Sequence, residues 1–495
     1  MKKLLASLCL IALTACTVGP DFTRPADPSA ESYTIKNFPG KTTSSEFTFG
    51  QEQRFDRNNV LEQQWWRTFG SSKLDEVIAR AMQANPTLLA AQSTLKQAQE
   101  LYSARAGSTL YPQLNATLSD QRVQLNGATQ GLSTSPNVFN LYNATVGVTY
   151  NFDIFGGNRR ILEALASRAD YQQYQLLAAK LTLAANISTT AITQAKLAGQ
   201  IKANETSLKA QEDQLIVARN RLRLGQASED DVLALTTEAE QTRAGIPVLR
   251  TRYEQTRHLL STLSGQAPGQ SALPTFVMSD FTLPTDLPLL IPSELVRQRP
   301  DIQASEALMR ASNAEYGAAI AKMYPQLNLS ASIGSLALAP ASLFGTGALF
   351  WQVLGQLSQP VFNPGLPAES RAALAAFEAT ASNYQMTVLD ALRNVADVLK
   401  ALENDAMTLK SQSTANSAAR DLAKSVERQY TLGSASYLQL LIAQLQDQRT
   451  RFELIAAQAQ RLIDTVALYQ ALGGAMLTST VSTPRQTTDS GSANK

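Results

Sequence analysis

Cysteine and histidine are almost absent from this 495-residue chain: two cysteines, Cys9 and Cys16, both lie near the N-terminus, and the one histidine is His258. This excludes a disulfide framework and a Cys/His zinc site, and it leaves any imidazole chemistry to a single residue. Charge is also sparse. Charged residues make up 17% of the chain, below the ~25% of ordinary soluble domains, and 43 basic side chains nearly cancel 41 acidic ones. A strongly basic nucleic-acid surface and a highly charged disordered chain are both excluded. Past Cys16 no run approaches the ~18 consecutive apolar residues of a spanning helix, so any membrane crossing must use β-strands. Signatures of chemistry are missing as well. Gly40-Lys41-Thr42 ends like a phosphate loop, but position 35 is Ile where that loop needs Gly. Met82, Met278, Met309, Met323, Met386 and Met407 are scattered, with no thioether cluster. There is no nucleophile elbow or zincin helix. His258 falls between apolar positions on a helix and reads as a solvated side chain. No enzyme activity, metal or cofactor is expected.

What is present begins with an address. Lys2 and Lys3 precede an apolar stretch from Leu4 to Leu13, which has signal-peptide length and is too short for a mature spanning helix. Leu13-Thr14-Ala15-Cys16 looks like a bacterial lipobox, with cleavage before Cys16; the alternative is an ordinary signal peptide and a chance cysteine. On the lipobox reading Cys16 carries covalent lipid on both sulfur and amine, and several acyl chains anchor firmly where one is marginal. Thr17 stands where Asp would mark inner-membrane retention, which points to the outer membrane.

The chain is also written twice. Tyr111-Pro112-Gln113-Leu114-Asn115 returns letter for letter at Tyr324-Pro325-Gln326-Leu327-Asn328, an offset of 213 residues. Leu224-Gly225-x-Ala227-Ser228 returns as Leu432-Gly433-x-Ala435-Ser436 at an offset of 208, and Leu263-Ser264-Gly265 aligns with Leu472-Gly473-Gly474 at 209. Landmarks in one order at near-constant offset predict a tandem duplication, with a period far beyond the roughly 20–50 residues of solenoids.

Within each half the hydrophobic period switches. Tyr142, Ala144, Val146, Val148, Tyr150 and Phe152 alternate with neutral polar or small residues, and Leu327, Leu329, Ala331 and Ile333 do the same. Leu114, Ala116 and Leu118, and more weakly Trp351, Val353 and Leu357, continue the pattern. Strands are predicted at about 112–125, 138–154, 325–338 and 349–362, each long enough to supply the about 9–11 residues that a tilted bilayer-crossing strand needs. Alternation alone also fits the edge of a soluble β-sandwich. Tyr111, Phe152, Tyr324 and Phe362 suit interfacial girdles.

The remainder reads as helix. Apolar or small residues at 3-4 spacing run from Leu374 through Tyr384 and Val395 to Leu402, from Val232 through Ile246 to Leu263, and from Leu438 through Leu445 and Phe452 to Val466. These are heptad seams of coiled-coil type. Pro247 should kink the second. Gly225 and Gly433 read as residues just past helix C-termini, and Ser228 and Ser436 as N-caps with Asp231 and Gln439 completing approximate capping boxes. A first arm of about 157–224 would measure ~100 Å at 1.5 Å per residue, too long for anything but a rod or a tube wall.

Four membrane-grade strands cannot close a barrel, since the smallest single-chain barrels need about eight. Open edges in lipid would leave unsatisfied amides at several kcal/mol each. The barrel must be shared: two chains supply eight strands and three supply twelve.

The lipobox, Gly19-Pro20-Asp21-Phe22-x-x-Pro25, Trp65-Trp66-x-x-Phe69, Asn85-Pro86, the doubled Tyr-Pro-Gln-Leu, Arg299-Pro300-Asp301-Ile302 and Arg221-x-x-x-Gly225-x-x-Ser228-x-x-Asp231-Val232-Leu233 together resemble the TolC-type outer-membrane efflux proteins, in their NodT-like lipoprotein branch. The resemblance runs from Cys16 to about Gly474. It implies a mixed α/β membrane protein: a trimeric twelve-stranded outer-membrane β-barrel, four strands per chain, continued by a long periplasmic α-helical barrel. It divides the chain into a signal peptide (1–15), a lipid-anchored and equatorial segment (16–72), a first repeat (73–265), an equatorial linker (266–291), a second repeat (292–474) and a polar tail (475–495) whose composition predicts disorder. The equatorial belt should draw on the N-terminal segment, on the linker and on residues after Gly474.

The same resemblance implies partners and sites. The partners are two further copies, a periplasmic adaptor (membrane fusion protein), an inner-membrane resistance-nodulation-division transporter and outer-membrane lipid, with no nucleic acid. The helix turns would dock the adaptor through Arg221, Gly225, Ser228, Asp231, Gly433 and Ser436, although carboxylates at 229–231 also stabilise a helix N-terminus in their own right. Tyr430-x-x-Gly433-x-x-x-Tyr437-Leu438 resembles the constriction segment, with Tyr437, Leu438 and Ile442 at the periplasmic gate. The family often has Asp where Ile442 stands before Ala443-Gln444, so an apolar constriction is expected in place of an acidic ring. The function implied is a passive, gated export conduit for small molecules from the periplasm to the exterior. The alternatives are a pore-free lipid-anchored scaffold or adhesin, or the outlet of a type I secretion system. The cargo is left open.

Overall fold

In chain order the elements are β1 (Arg54–Asp56), α1 (Ser72–Ala84), α2 (Pro86–Leu110), β2 (Gln113–Leu125), β3 (Asn137–Phe152), α3 (Gly157–Arg223), α4 (Glu229–Leu263), β4 (Asp286–Pro288), α5 (Pro292–Gln298), α6 (Pro300–Ala321), β5 (Gln326–Ala337), β6 (Leu349–Ser358), α7 (Gly365–Thr431) and α8 (Tyr437–Ala471). They are taken from a computed structural model that describes residues 17–474 except 27, 31, 35–38, 58, 60, 126–136 and 271. Cys16, the predicted signal peptide (1–15) and the tail 475–495 lie outside the described residues. The predicted strands match β2, β3, β5 and β6 to within a few residues. Element lengths recur: α3 and α7 are 67 residues each, and α4 and α8 are 35 each.

The chain divides into two units. One takes in the described parts of Met1–Pro25, Ser93–Gln173 and Ala304–Met386. Its centre is a four-stranded antiparallel sheet in the order β2-β3-β5-β6. Residues 17–25 strap onto the helices of the same unit. Buried Arg160 donates from Nη2 to the Gly19 carbonyl (3.2 Å) and to Asp21 (2.7 Å), Asn313 donates to the Pro20 carbonyl (3.0 Å), and Arg24 pairs with Glu306 at 3.0 Å. Gly19 has φ +97°, and a Cβ there would sit 2.7 Å from the Cα of Gly317, so the strap needs glycine at this crossing.

The other unit takes in the described parts of Ala26–Gln92, Tyr174–Gln303 and Thr387–Lys495. Its helices pack by the seams read from sequence: Leu235, Ala239, Thr242, Ile246, Leu249 and Leu260 on α4 are buried, and so are Ala391, Val395 and Leu402 on α7. An 18-residue window of α3 reaches a mean hydropathy of 1.2, but half of it is buried. Helix α4 runs unbroken through Pro247. The seam of α8 is a correction. From Ala459 to Val466 it is buried as expected, but toward its N-terminus the buried residues are Tyr437, Leu440, Ala443 and Thr450, while Leu438 and Leu445 are exposed. Two apolar stripes lie side by side there, and the chain's own hairpins cover only one.

A small belt joins distant segments of this second unit. β1 pairs in parallel with β4, linking the N-terminal segment to the linker between the halves. Fully buried Arg461 of α8 holds the loop before β1: its Nη1 donates to the Phe49 carbonyl (2.7 Å), and its Nη2 donates to the Gln51 carbonyl (2.6 Å) and Thr42 Oγ1 (3.0 Å). Phe49 adopts φ +61°, the turn that aims its carbonyl inward. Burial without a directly bonded carboxylate pushes the guanidinium down to about 10, against the opposing pull of Asp405.

Candidate functional site: helix turns and strand faces

Both helix turns are built by the same local chemistry. At the end of α3 the Gly225 N–H donates to the Leu222 carbonyl (3.0 Å) and the Gln226 N–H to the Arg221 carbonyl (2.8 Å). At the end of α7 the Gly433 N–H donates to Tyr430 (3.0 Å) and the Ser434 N–H to Gln429 (2.8 Å). Each pair of bonds is a Schellman closure, which needs a left-handed residue, and Gly225 and Gly433 supply φ values of +70° and +77°. Three residues later the chain caps itself. Ser228 accepts from the Asp231 N–H while the Asp231 carboxylate accepts from the Ser228 N–H, both at 3.1 Å. Ser436 and Gln439 repeat the box on α8.

Beneath the turns the two hairpins are joined by aromatic packing. Ala218, Leu235 and Tyr437 form the buried cluster, against Leu215, Val232, Ala234, Tyr430 and Leu441. The Tyr430 and Tyr437 rings meet edge to face at 6.1 Å, and the Arg221 guanidinium lies 5.1 Å from the centre of the Tyr430 ring. The Tyr437 hydroxyl is buried and unpartnered. Burial raises its proton affinity most, with Tyr430, Glu238 and Asp231 adding to the rise.

Of the residues singled out from sequence, Gly225, Ser228, Gly433 and Ser436 are exposed on the turns, Asp231 caps its helix, and Arg221 is half-buried against Tyr430. Tyr437 is only 8% exposed, whereas Leu438 and Ile442 are 62% and 58% exposed. The structure therefore separates Tyr437, a packing residue, from Leu438 and Ile442, which face outward on the uncovered stripe of α8. The Arg221–Tyr430 contact was not legible in the sequence, because its partners come from different hairpins. Among the described residues no three His, Cys, Asp or Glu side chains gather as a metal site would require.

The sheet has its own geometry. Paired residues share a face, and the register aligns Ala116, Val146, Ile333 and Trp351 in one row across all four strands. The next row is Leu114, Val148, Ala331 and Val353. On the reverse face Asn115, Gly147, Ser332 and Gln352 line up. Through these central rows one side is thus apolar and the other neutral and mostly polar. The apolar side is bare: Leu118 is 78% exposed and Trp351 is 74% exposed. The outer strands β2 and β6 pair on one side only.

A bare apolar sheet face of this length and long capped helical hairpins define a class, the outer-membrane channel protein. The chain matches the family described as outer membrane efflux protein over residues 77–266 and 291–474. It is 28% identical to the probable efflux pump outer membrane protein TtgC of Pseudomonas putida, over 96% of each chain. It is 26% identical to the cation efflux system protein CusC of Escherichia coli, over 95% of this chain and 98% of that one. The solved outer-membrane channel OprN superposes with a TM-score of 0.84 at 25% identity, covering 93% of this chain and 99% of that chain. The protein belongs to the outer membrane efflux protein family. It is an outer-membrane export channel of an efflux system, located in the outer membrane and extending into the periplasm.

Proposed function

We propose that three copies of the chain close a twelve-stranded β-barrel in the outer membrane, continued by a periplasmic α-helical barrel, and serve as the passive outlet of a tripartite pump. The observation that carries this reading is the sheet: four strands with apolar rows in register and two open edges are unstable in lipid unless other chains complete the ring. The recurrence of element lengths and turn chemistry supports a tandem duplication with repeats at 73–265 and 292–474. The family resemblance supports a periplasmic adaptor docking on the turns through Arg221, Gly225, Ser228, Asp231, Gly433 and Ser436, and an energised inner-membrane transporter behind it. Lipid on Cys16 would tether the assembly, and the channel would perform no chemistry of its own. The exposed Leu438 and Ile442 would form an apolar constriction, with Tyr437 packed behind them. Cargo follows from the pump. Relatives are named for antibiotics, toluene, pyoverdine and cations, and small amphiphiles are slightly favoured.

Planar-bilayer recording of the purified lipoprotein tests this reading. Discrete conductance steps from the trimeric fraction are the expected result. A monomeric, electrically silent preparation would favour the pore-free scaffold.

A further inference from the structure

We infer that the barrel lumen carries no fixed charge and therefore passes cargo of either sign, or of none, without discrimination; this deepens the pore reading above and rests on it. In the sequence no charged side chain occurs between Arg122 and Asp153, nor between Lys322 and Glu369. Those two stretches contain β3, β5 and β6 and the connections β2–β3 and β5–β6. The charged residues within β2 are Asp120 and Arg122, and the register decides where they point. They share the parity of Leu114, Ala116 and Leu118, and they pair with Tyr142 and Asn140, which share the face of Ala144 and Val146. Both therefore end the lipid-facing band at the rim away from the helices.

The opposite face offers only dipoles and small or apolar groups. Its central row is Asn115, Gly147, Ser332 and Gln352, and Thr145 and Ser330 lie in the rows beside it. Amide and hydroxyl dipoles turn toward either sign of charge. Fixed charges of one sign in a low-dielectric wall would enrich counter-ions roughly 10–10³-fold, and this wall has none. Asp120 and Arg122 oppose each other in sign, lie on the far side of the sheet, and are screened beyond about 8 Å at physiological salt. Discrimination by charge is therefore exerted before cargo reaches the strands.

The test uses the full lipoprotein in planar bilayers with Ser332→Cys as a reporter thiol, treated separately with a cationic and an anionic methanethiosulfonate. Both reagents are expected to lower the conductance, and the ratio of their rates, normalised to that for a free small thiol, should lie within about threefold of one. A normalised ratio beyond about threefold in either direction overturns the inference and leaves the pore reading standing. If neither reagent modifies Ser332→Cys while Ile333→Cys is modified from water, the faces are reversed and the pore reading itself fails. Ser330→Cys, on the same face, repeats the measurement should Ser332→Cys not assemble. Ser332→Asp supplies the converse. It is expected to shift the reversal potential in a KCl gradient toward cation selectivity relative to the unsubstituted channel, and an unchanged potential counts against the inference.

Discussion

At the residue scale, single backbone and side-chain choices fix the turns and the belt. Nothing lies within 4 Å of a Cβ built on Gly225, so replacing it tests backbone conformation alone. Gly225→Ala is expected to cost about 1 kcal/mol through the left-handed φ. Hydrogen exchange should show this as about fivefold faster exchange of the Gln226 amide. A second residue-scale prediction concerns Asp405 on α7. Burial pushes its carboxyl up to about 8, the hydrogen bond and charge of Asp464 add to the rise, and Arg461 opposes it. The folded chain holds this proton more tightly than the unfolded chain does, so the folded state binds more protons across the window. Its stabilising contribution is full below the ordinary carboxylate value of 3.8 and is lost as pH rises through about 8. Thermal melts should fall from pH 5 to pH 8.5 in the unsubstituted channel, and Asp405→Asn should flatten that slope.

At the element scale the sheet and α8 each present a face that the chain does not cover. On the sheet, parity decides the consequence of a charge. Ile333→Lys, on the apolar row, should cost about 2–4 kcal/mol at the bilayer midplane and remove the assembled species from outer-membrane fractions. Ser332→Lys, its neighbour on the reverse face, should assemble normally, so equal loss for both variants would contradict the assigned faces. On α8 the heptad reading was correct in period but wrong in which stripe is buried near the turn. Heptad spacing identifies apolar stripes; it does not say which one the chain's own hairpins will cover and which is left for a neighbour. The exposed stripe contains Ile442, at the proposed constriction. Ile442→Asp is therefore expected to create divalent-cation block in single-channel recordings that the unsubstituted channel lacks.

At the scale of the whole molecule the fold is incomplete on its own. Two open sheet edges, a bare apolar face and an uncovered helix stripe are the surfaces that the proposed trimer would cover. Native mass measurement in detergent should give three times the mass of the processed chain, and a stable monomer would count against the shared barrel.

The sequence by itself determined the elements. Alternation located the strands, 3-4 spacing located the helices, and Gly225, Ser228, Gly433 and Ser436 placed the turns, because these signals rest on local geometry that a few neighbouring residues dictate. Contacts between segments far apart in the chain were decided only by the tertiary structure. Arg221 meets Tyr430 across two hairpins, Arg461 binds carbonyls in a loop some four hundred positions upstream, and Tyr437 turns inward while Leu438 turns out. The row that sets Ser332 beside Gly147 and Asn115 depends on strand register, which pairing across the sheet fixes and no local spacing encodes.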